Sequence, residues 1–383
     1  MKNKLTTLLS ITALCFSTVL STQAYAKGDT IKIGSFLAVT GGASFLGDPE
    51  LKTLQMYIDE LNEKGGLLGK KIELIHYDTA GNPKKAVNFI KRLVKKDRVD
   101  LIIGGSTSGT TLAVAPLVKK FRIPMVSLAG SIKIIEPTQK WLFKVPHTDR
   151  MAAAKVFENM KKRGLTKIAL ISGSGGFDKS GRVQCLALAE KYGITIVADE
   201  SYGNKDMDMT AQLTKIRSSD AQAIFNFGFG KAPAIVTKNI KQLGIKLPVY
   251  QSHGVASKKY IDLAGDAADG VRLPAAAIVV ADNLADNDPQ KQVASAYKKA
   301  YESKYGQVSS FGAHAYDALM IVVEAIKRAK SVDKNAVRNE IEKTTHYIGA
   351  GGIFNMRSDD HMGLKLNSFK LLEIVNGNWQ IVK

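Results

Sequence analysis

The chain has 383 residues and carries 54 Lys and Arg against 35 Asp and Glu, a formal net charge of +19. Its length points to two domains rather than one, and two cysteines, Cys15 and Cys185, exclude a disulfide framework and a structural zinc site. So basic a chain suggests nucleic acid, but the lysines fall as pairs at helical spacing (Lys95-Lys96, Lys119-Lys120, Lys161-Lys162, Lys298-Lys299) without interleaved aromatics. They read as solvated helix faces with a weak attraction to an anionic membrane surface or anionic ligands, and no nucleic-acid partner is expected.

Lys2 and Lys4 precede an uncharged, largely apolar run from Leu8 to Leu20, and Ala24-Tyr25-Ala26 supplies the small residues of a signal-peptidase site. Residues 1–26 are expected to be a signal peptide cleaved after Ala26, which places the chain in the periplasm. Leu14 stands before Cys15 where a lipobox needs a small residue, so no lipid anchor is expected. The remainder holds no long apolar stretch and should not insert stably in a membrane. Cys185 sits in the apolar patch Val183 to Leu188 and is expected to be a buried structural thiol.

Beyond the signal, strand and helix alternate. Ile31 to Leu37 suits a strand, and Asp48 to Lys64 a helix with its stripe at Leu51, Leu54, Ile58 and Leu61. Lys71 to Asp78 is a strand, Asn82-Pro83 opens a helix, Leu101 to Gly104 is a buried strand, Leu112 to Phe121 a helix, and Met125 to Leu128 a strand. After the irregular stretch Ile135 to Asp149 the rhythm restarts, with strands at Lys167 to Ser172, Thr195 to Asp199, Ala223 to Phe227 and Val249 to Gln251. Three long helices follow Gly270, and a terminal hairpin turns at Asn376-Gly377. This pattern predicts an α/β fold of two doubly wound, Rossmann-like lobes with parallel sheets.

Catalytic patterns are missing. The six histidines (76, 147, 253, 314, 346, 361) show no metal-ligand spacing, and no nucleophile elbow or phosphate loop occurs, so neither enzyme activity, a metal nor a cofactor is expected. Asp359-Asp360-His361 reads as a solvated loop. More informative are two small polar loops that each follow a strand: Gly105-Ser106-Thr107-Ser108-Gly109-Thr110-Thr111, and Ala129-Gly130-Ser131. Beyond the carboxyl ends of parallel strands, helix N-termini and hydroxyls present donors to an anion, and a carboxylate is the expected ligand group.

These segments, with Thr40-Gly41-Gly42 to Gly47, Pro124 to Ala129 and Gly265-Asp266-Ala267-Ala268-Asp269-Gly270-Val271, resemble the branched-chain amino acid type of periplasmic solute-binding protein that serves ABC importers. The resemblance spans the chain after the signal and implies a three-crossover hinge between the lobes. The N-terminal lobe would comprise 27–145 plus 275–350 and the C-terminal lobe 146–274 plus 351–383, with crossovers near Pro274 and Gly351. It further implies a monomer that delivers a small carboxylate to permease subunits, or a sensory binding protein of the same type. The ligand-binding residues it implies are Leu46, Ser106, Thr107, Ser108, Ala129, Gly130 and Ser131 from the first lobe, with Phe177, Phe229 and His253 from the second.

The second-lobe trio departs from that family's pattern. Phe177 stands where amino acid binders place a tyrosine, and His253 at or near the position of a carboxylate that meets the ligand's ammonium. A ligand with a carboxylate but no α-amino group, an aromatic or branched aliphatic acid, is therefore expected. An amino acid paired with Asp178 or another displaced acid is the alternative.

Overall fold

The computed structural model describes residues 30–203 and 205–382; the expected signal peptide and its cleavage site lie outside them. The chain opens with β1 (Thr30–Leu37), α1 (Ser44–Glu63), β2 (Lys71–Asp78), α2 (Pro83–Arg92), β3 (Leu101–Ile103), α3 (Ser108–Phe121), β4 (Met125–Ser127) and β5 (Leu142–Lys144). Asn82 caps α2 by accepting from the N–H groups of Lys84 and Lys85, and Pro83 fills a first-turn position whose N–H would have no helical partner. β3, β4 and β5 are three-residue runs buried at every position, as strands covered on both faces must be. The five strands pair in parallel in the order β2-β1-β3-β4-β5.

A second block follows: α4 (Asp149–Lys162), β6 (Lys167–Gly173), α5 (Gly176–Ala189), β7 (Thr195–Tyr202), α6 (Thr210–Arg217), β8 (Ala223–Phe227), α7 (Ala232–Gln242), β9 (Val249–Gln251), α8 (Lys258–Ala264) and β10 (Arg272–Ala276). Its parallel strands repeat the first order, as β7-β6-β8-β9-β10. The chain then returns to the first lobe for α9 (Lys291–Tyr305), α10 (Ser310–Ala329), which packs along α1, and α11 (Lys334–Glu342). A small hairpin, β11 (Tyr347–Ile348) with β12 (Ile353–Phe354), precedes β13 (Phe369–Val375) and β14 (Asn378–Ile381).

Three differences from expectation have local causes. The second sheet is mixed, because β13 runs antiparallel to β10 and carries β14 on its outer edge. Its turn puts Asn376 and Gly377 at positive φ, the pair that a two-residue hairpin requires. Second, β5 lies inside the stretch expected to be irregular; three residues between prolines carry no periodicity to read. Third, α1 begins at Ser44, ahead of Asp48, and runs through Pro49, so Leu46 sits in a helical turn and not in a loop. Near the expected crossovers, β10 ends two residues past Pro274, and beyond Gly351 the chain contacts β5 before β13 joins β10. The Lys144 N–H donates to His361 O at 3.0 Å, and the buried His361 ring contacts Leu142 O at 2.9 Å and Glu342 Oε1 at 3.1 Å. The solvated loop expected at Asp359-Asp360-His361 therefore splits: Asp359 is exposed and pairs with Arg357, while His361 pins the segment to β5.

In each sheet the strand order reverses between the first and third strands of its block, which opens a crevice at their carboxyl ends. The two crevices face one another. Ser131 Oγ meets Ser180 Oγ of α5 at 2.7 Å, and a Cβ on Gly176 would stand 3.3 Å from the Cα of Gly109, so the N-termini of α3 and α5 nearly touch.

Candidate functional site

Between the lobes lies a cavity of about 410 Å³ counting its open mouth. Its first-lobe wall grows out of the loop between β3 and α3. Gly105 takes φ +82°, and a Cβ there would fall 2.2 Å from Thr111 Oγ1, so the turn admits no side chain. The loop's own hydroxyls hold it in shape. Ser106 Oγ accepts from the Ala38 N–H at 2.9 Å and donates to Glu50, Thr107 Oγ1 caps α3 by accepting from the Thr110 N–H, and Thr111 Oγ1 meets Ser127 Oγ at 2.9 Å. Ser108 Oγ accepts from the Ser131 N–H at 3.1 Å, and no acceptor for its own proton occurs among the described residues. It lines the cavity at the start of α3, beside the positive end of the helix dipole.

Rings make the opposite wall. Phe177 lies in the first turn of α5, Phe229 follows β8, and His253 opens the short turn after β9. Ser252 fixes that turn by donating to Gly228 O at 2.7 Å and accepting from the Gly254 N–H. Phe177 meets Phe229 and His253 edge-on, at 6.1 and 5.1 Å between centroids. A Cβ on Gly130 would lie 2.8 Å from the Phe177 ring and 2.9 Å from His253 Nε2, so glycine is what lets the second-lobe rings approach. Phe311 and His314, near the start of α10, close the cavity from the first lobe with Leu46 and Leu128.

Among the described residues, no Asp, Glu, Lys or Arg lines this cavity. Burial holds the imidazoles of His253 and His314 down to about 3, so both are neutral at physiological pH and each offers one N–H donor. Among the described residues, neither ring nitrogen of His253 has a hydrogen-bond partner. The nearby acids stand behind the walls. Glu50 is fully buried beneath Ser106, and burial pushes its carboxyl well above the usual range. Asp178 accepts from the Gly175 N–H at 3.0 Å, capping its own helix, and burial raises it to about 7. A buried amine also lies close by: Lys144 Nζ donates to Pro146 O and His147 O, and burial lowers it to about 7, opposed by Asp149 and Asp360.

Eight of the residues singled out from sequence meet here: Leu46, Ser106, Thr107, Ser108, Gly130, Phe177, Phe229 and His253. Ala129 and Ser131 do not line the cavity. Both are buried, and Ser131 spends its hydroxyl on Ser180 and on the Lys133 N–H. Sequence reasoning missed Leu128, Pro146, Gly254, Phe311 and His314. For the last two a signal existed, since Ser309 caps α10 and an aromatic and a histidine three apart stand near its start. Cys185 is free and buried, as expected.

Against known proteins, residues 30–377 match a family model described as periplasmic binding protein. The chain is 25% identical over 334 residues, 86% of each sequence, to a Leu/Ile/Val-binding protein homolog of Brucella melitensis. Among solved structures it resembles an extracellular ligand-binding receptor of Rhodopseudomonas palustris, with TM-score 0.86 and 26% identity, covering 92% of this chain and 99% of that one. It also resembles LivJ of Streptococcus pneumoniae, a branched-chain amino acid transporter substrate binding protein solved with isoleucine, at TM-score 0.80 and 25% identity over 92% and 99% of the two chains.

Proposed function

The chain belongs to the periplasmic binding protein family, and on that premise we propose that its ligand is a small aromatic or branched aliphatic carboxylate without an α-amino group. It is a periplasmic solute-binding protein of an ABC transporter, and the permease subunits would receive the ligand when the lobes part. One observation carries the proposal: the cavity wall holds hydroxyl and neutral imidazole donors but no acid. A carboxylate entering it meets Ser108 and the N-terminus of α3, while rings cover the apolar remainder. An ammonium entering the same cavity would be stripped of water beside no carboxylate, which is costly.

The relatives named for leucine, isoleucine and valine favour a second reading, a branched-chain amino acid. Leucine and 4-methylpentanoate share a carbon skeleton and differ by the amine alone, so titration calorimetry of the pair separates the two. Benzoate and phenylacetate test the aromatic class. A ligand at about a hundred times its Kd adds about 2.7 kcal/mol of stability, enough to raise the melting temperature visibly. The carboxylate reading expects 4-methylpentanoate or an aromatic acid to bind and leucine not to. Leucine binding at least about tenfold tighter than its amine-free twin, a gap of about 1.4 kcal/mol, would overturn it.

A further inference from the structure

The first lobe carries a basic face that ligand capture does not use. α2 and α3 pack side by side, and both start at the cavity edge of the sheet and run back, so their C-terminal ends lie together at the opposite edge. Exposed there are Lys91, Arg92, Lys95, Lys96 and Arg98 at the end of α2 and its following turn, and Lys119, Lys120 and Arg122 at the end of α3. The only acid in residues 83–98 and 108–122 is Asp97, which accepts a hydrogen bond from the Tyr77 hydroxyl at 2.8 Å. None of the eight cations forms an ion pair among the described residues, and Arg92 lies over the Tyr77 ring. Cations in a last turn complement the helix dipole, which accounts for each helix alone but not for two such ends converging on one face with a single acid.

We propose that this face holds the protein against an anionic phospholipid surface, with the cleft left free at the other edge of the sheet. The composition favours lipid over a protein partner. Five of the eight cations are lysines, mobile point charges that are depleted in protein interfaces and suit a diffuse field better than a forked acceptor. The large apolar side chains exposed on the described residues, such as Leu68, Val183, Met207 and Ile348, all lie off α2 and α3, so nothing on this face anchors a partner or inserts into a bilayer. The attraction is electrostatic and should be screened by salt.

The test is co-sedimentation of the protein, expressed without residues 1–26, with phosphatidylcholine vesicles with and without phosphatidylglycerol. Binding should require phosphatidylglycerol and weaken at least about tenfold between about 50 and about 300 mM salt. The five-site variant K91E/K95E/K96E/K119E/K120E should lose binding at least about tenfold. A variant with the same change in net charge on the second lobe, K161E/K162E/K205E/K231E/K238E, should stay within about twofold. Equal losses in both variants, or no vesicle binding at low salt, would sink the proposal. Binding to soluble polyglutamate but not to vesicles would sink it too, and would point to an acidic polypeptide instead.

Discussion

The two lobes repeat one strand order and bring the same edge to the cleft, yet they furnish it with opposite chemistry. Every hydroxyl that lines the cavity comes from the first lobe, at Ser106, Thr107 and Ser108. From the second come two phenylalanines, one histidine and a glycine. The topology sets where a site forms, at the reversal of strand order in each sheet. What the site holds is set by a few residues beyond the strands, so one scaffold presents hydroxyls beside Leu46, Leu128, Phe311 and His314 on one side and rings without hydroxyls on the other.

That contrast can be broken. The largest effect is expected at the point of closest approach: Gly130→Val fills the space taken by Phe177 and His253, and ligand binding should fall by more than about a hundredfold while the far-ultraviolet spectrum stays unchanged. Next comes the anion-receiving wall. Ser108→Ala removes a hydrogen bond to a charged group, worth about 1.5–3 kcal/mol, and calorimetry should show affinity about 10- to 100-fold weaker. Unchanged affinity would take the carboxylate away from α3.

Changing the cover should alter preference more than strength. His253→Asp gives the second lobe a carboxylate, so 4-methylpentanoate should weaken about tenfold and leucine should gain against it. An unmoved ratio of the two affinities would mean that the cover does not read the amine. The smallest effect is on pH dependence. His253 and His314 are held to about 3 against an ordinary value near 6.5, so the folded chain binds fewer protons than the unfolded one. Their contribution to stability is complete above about 6.5 and is lost as pH falls toward 3. Between about pH 7 and about pH 5 the melting temperature should fall by a few degrees. His253→Asn should flatten that slope and Ser108→Ala should leave it alone, which separates the titrating wall from the hydroxyl wall.

Much of this molecule was legible without coordinates where the governing physics is local. Leu54 and Ile58 recur at helical spacing, Asn82-Pro83 starts a helix, and Asn376-Gly377 turns a hairpin, because each depends on neighbours within a turn or two of chain. The loop Gly105 to Thr111 could likewise be picked out as a cluster of hydroxyls behind a buried strand. What those hydroxyls do could not. Thr107 and Thr111 stabilise their own loop, Ser131 bridges to α5, and Ser108 is left facing the cavity, a division set by partners far apart in sequence.

The amino-acid pattern by itself thus determined most of the elements, their alternation and the two-lobed plan, and its resemblance to a known family pointed to eight residues of the cavity wall. Only the tertiary structure decided that Phe311 and His314 complete the wall from a helix more than 180 residues beyond Ser108, and that Asp178 and Glu50 stand behind it. It also decided that His253 and His314 stay neutral. Periodicity and capping are settled by bonds and packing within a few residues. Burial, and the protonation that follows from it, depends on which distant segments exclude water from a side chain, and that is a property of the closed lobes together.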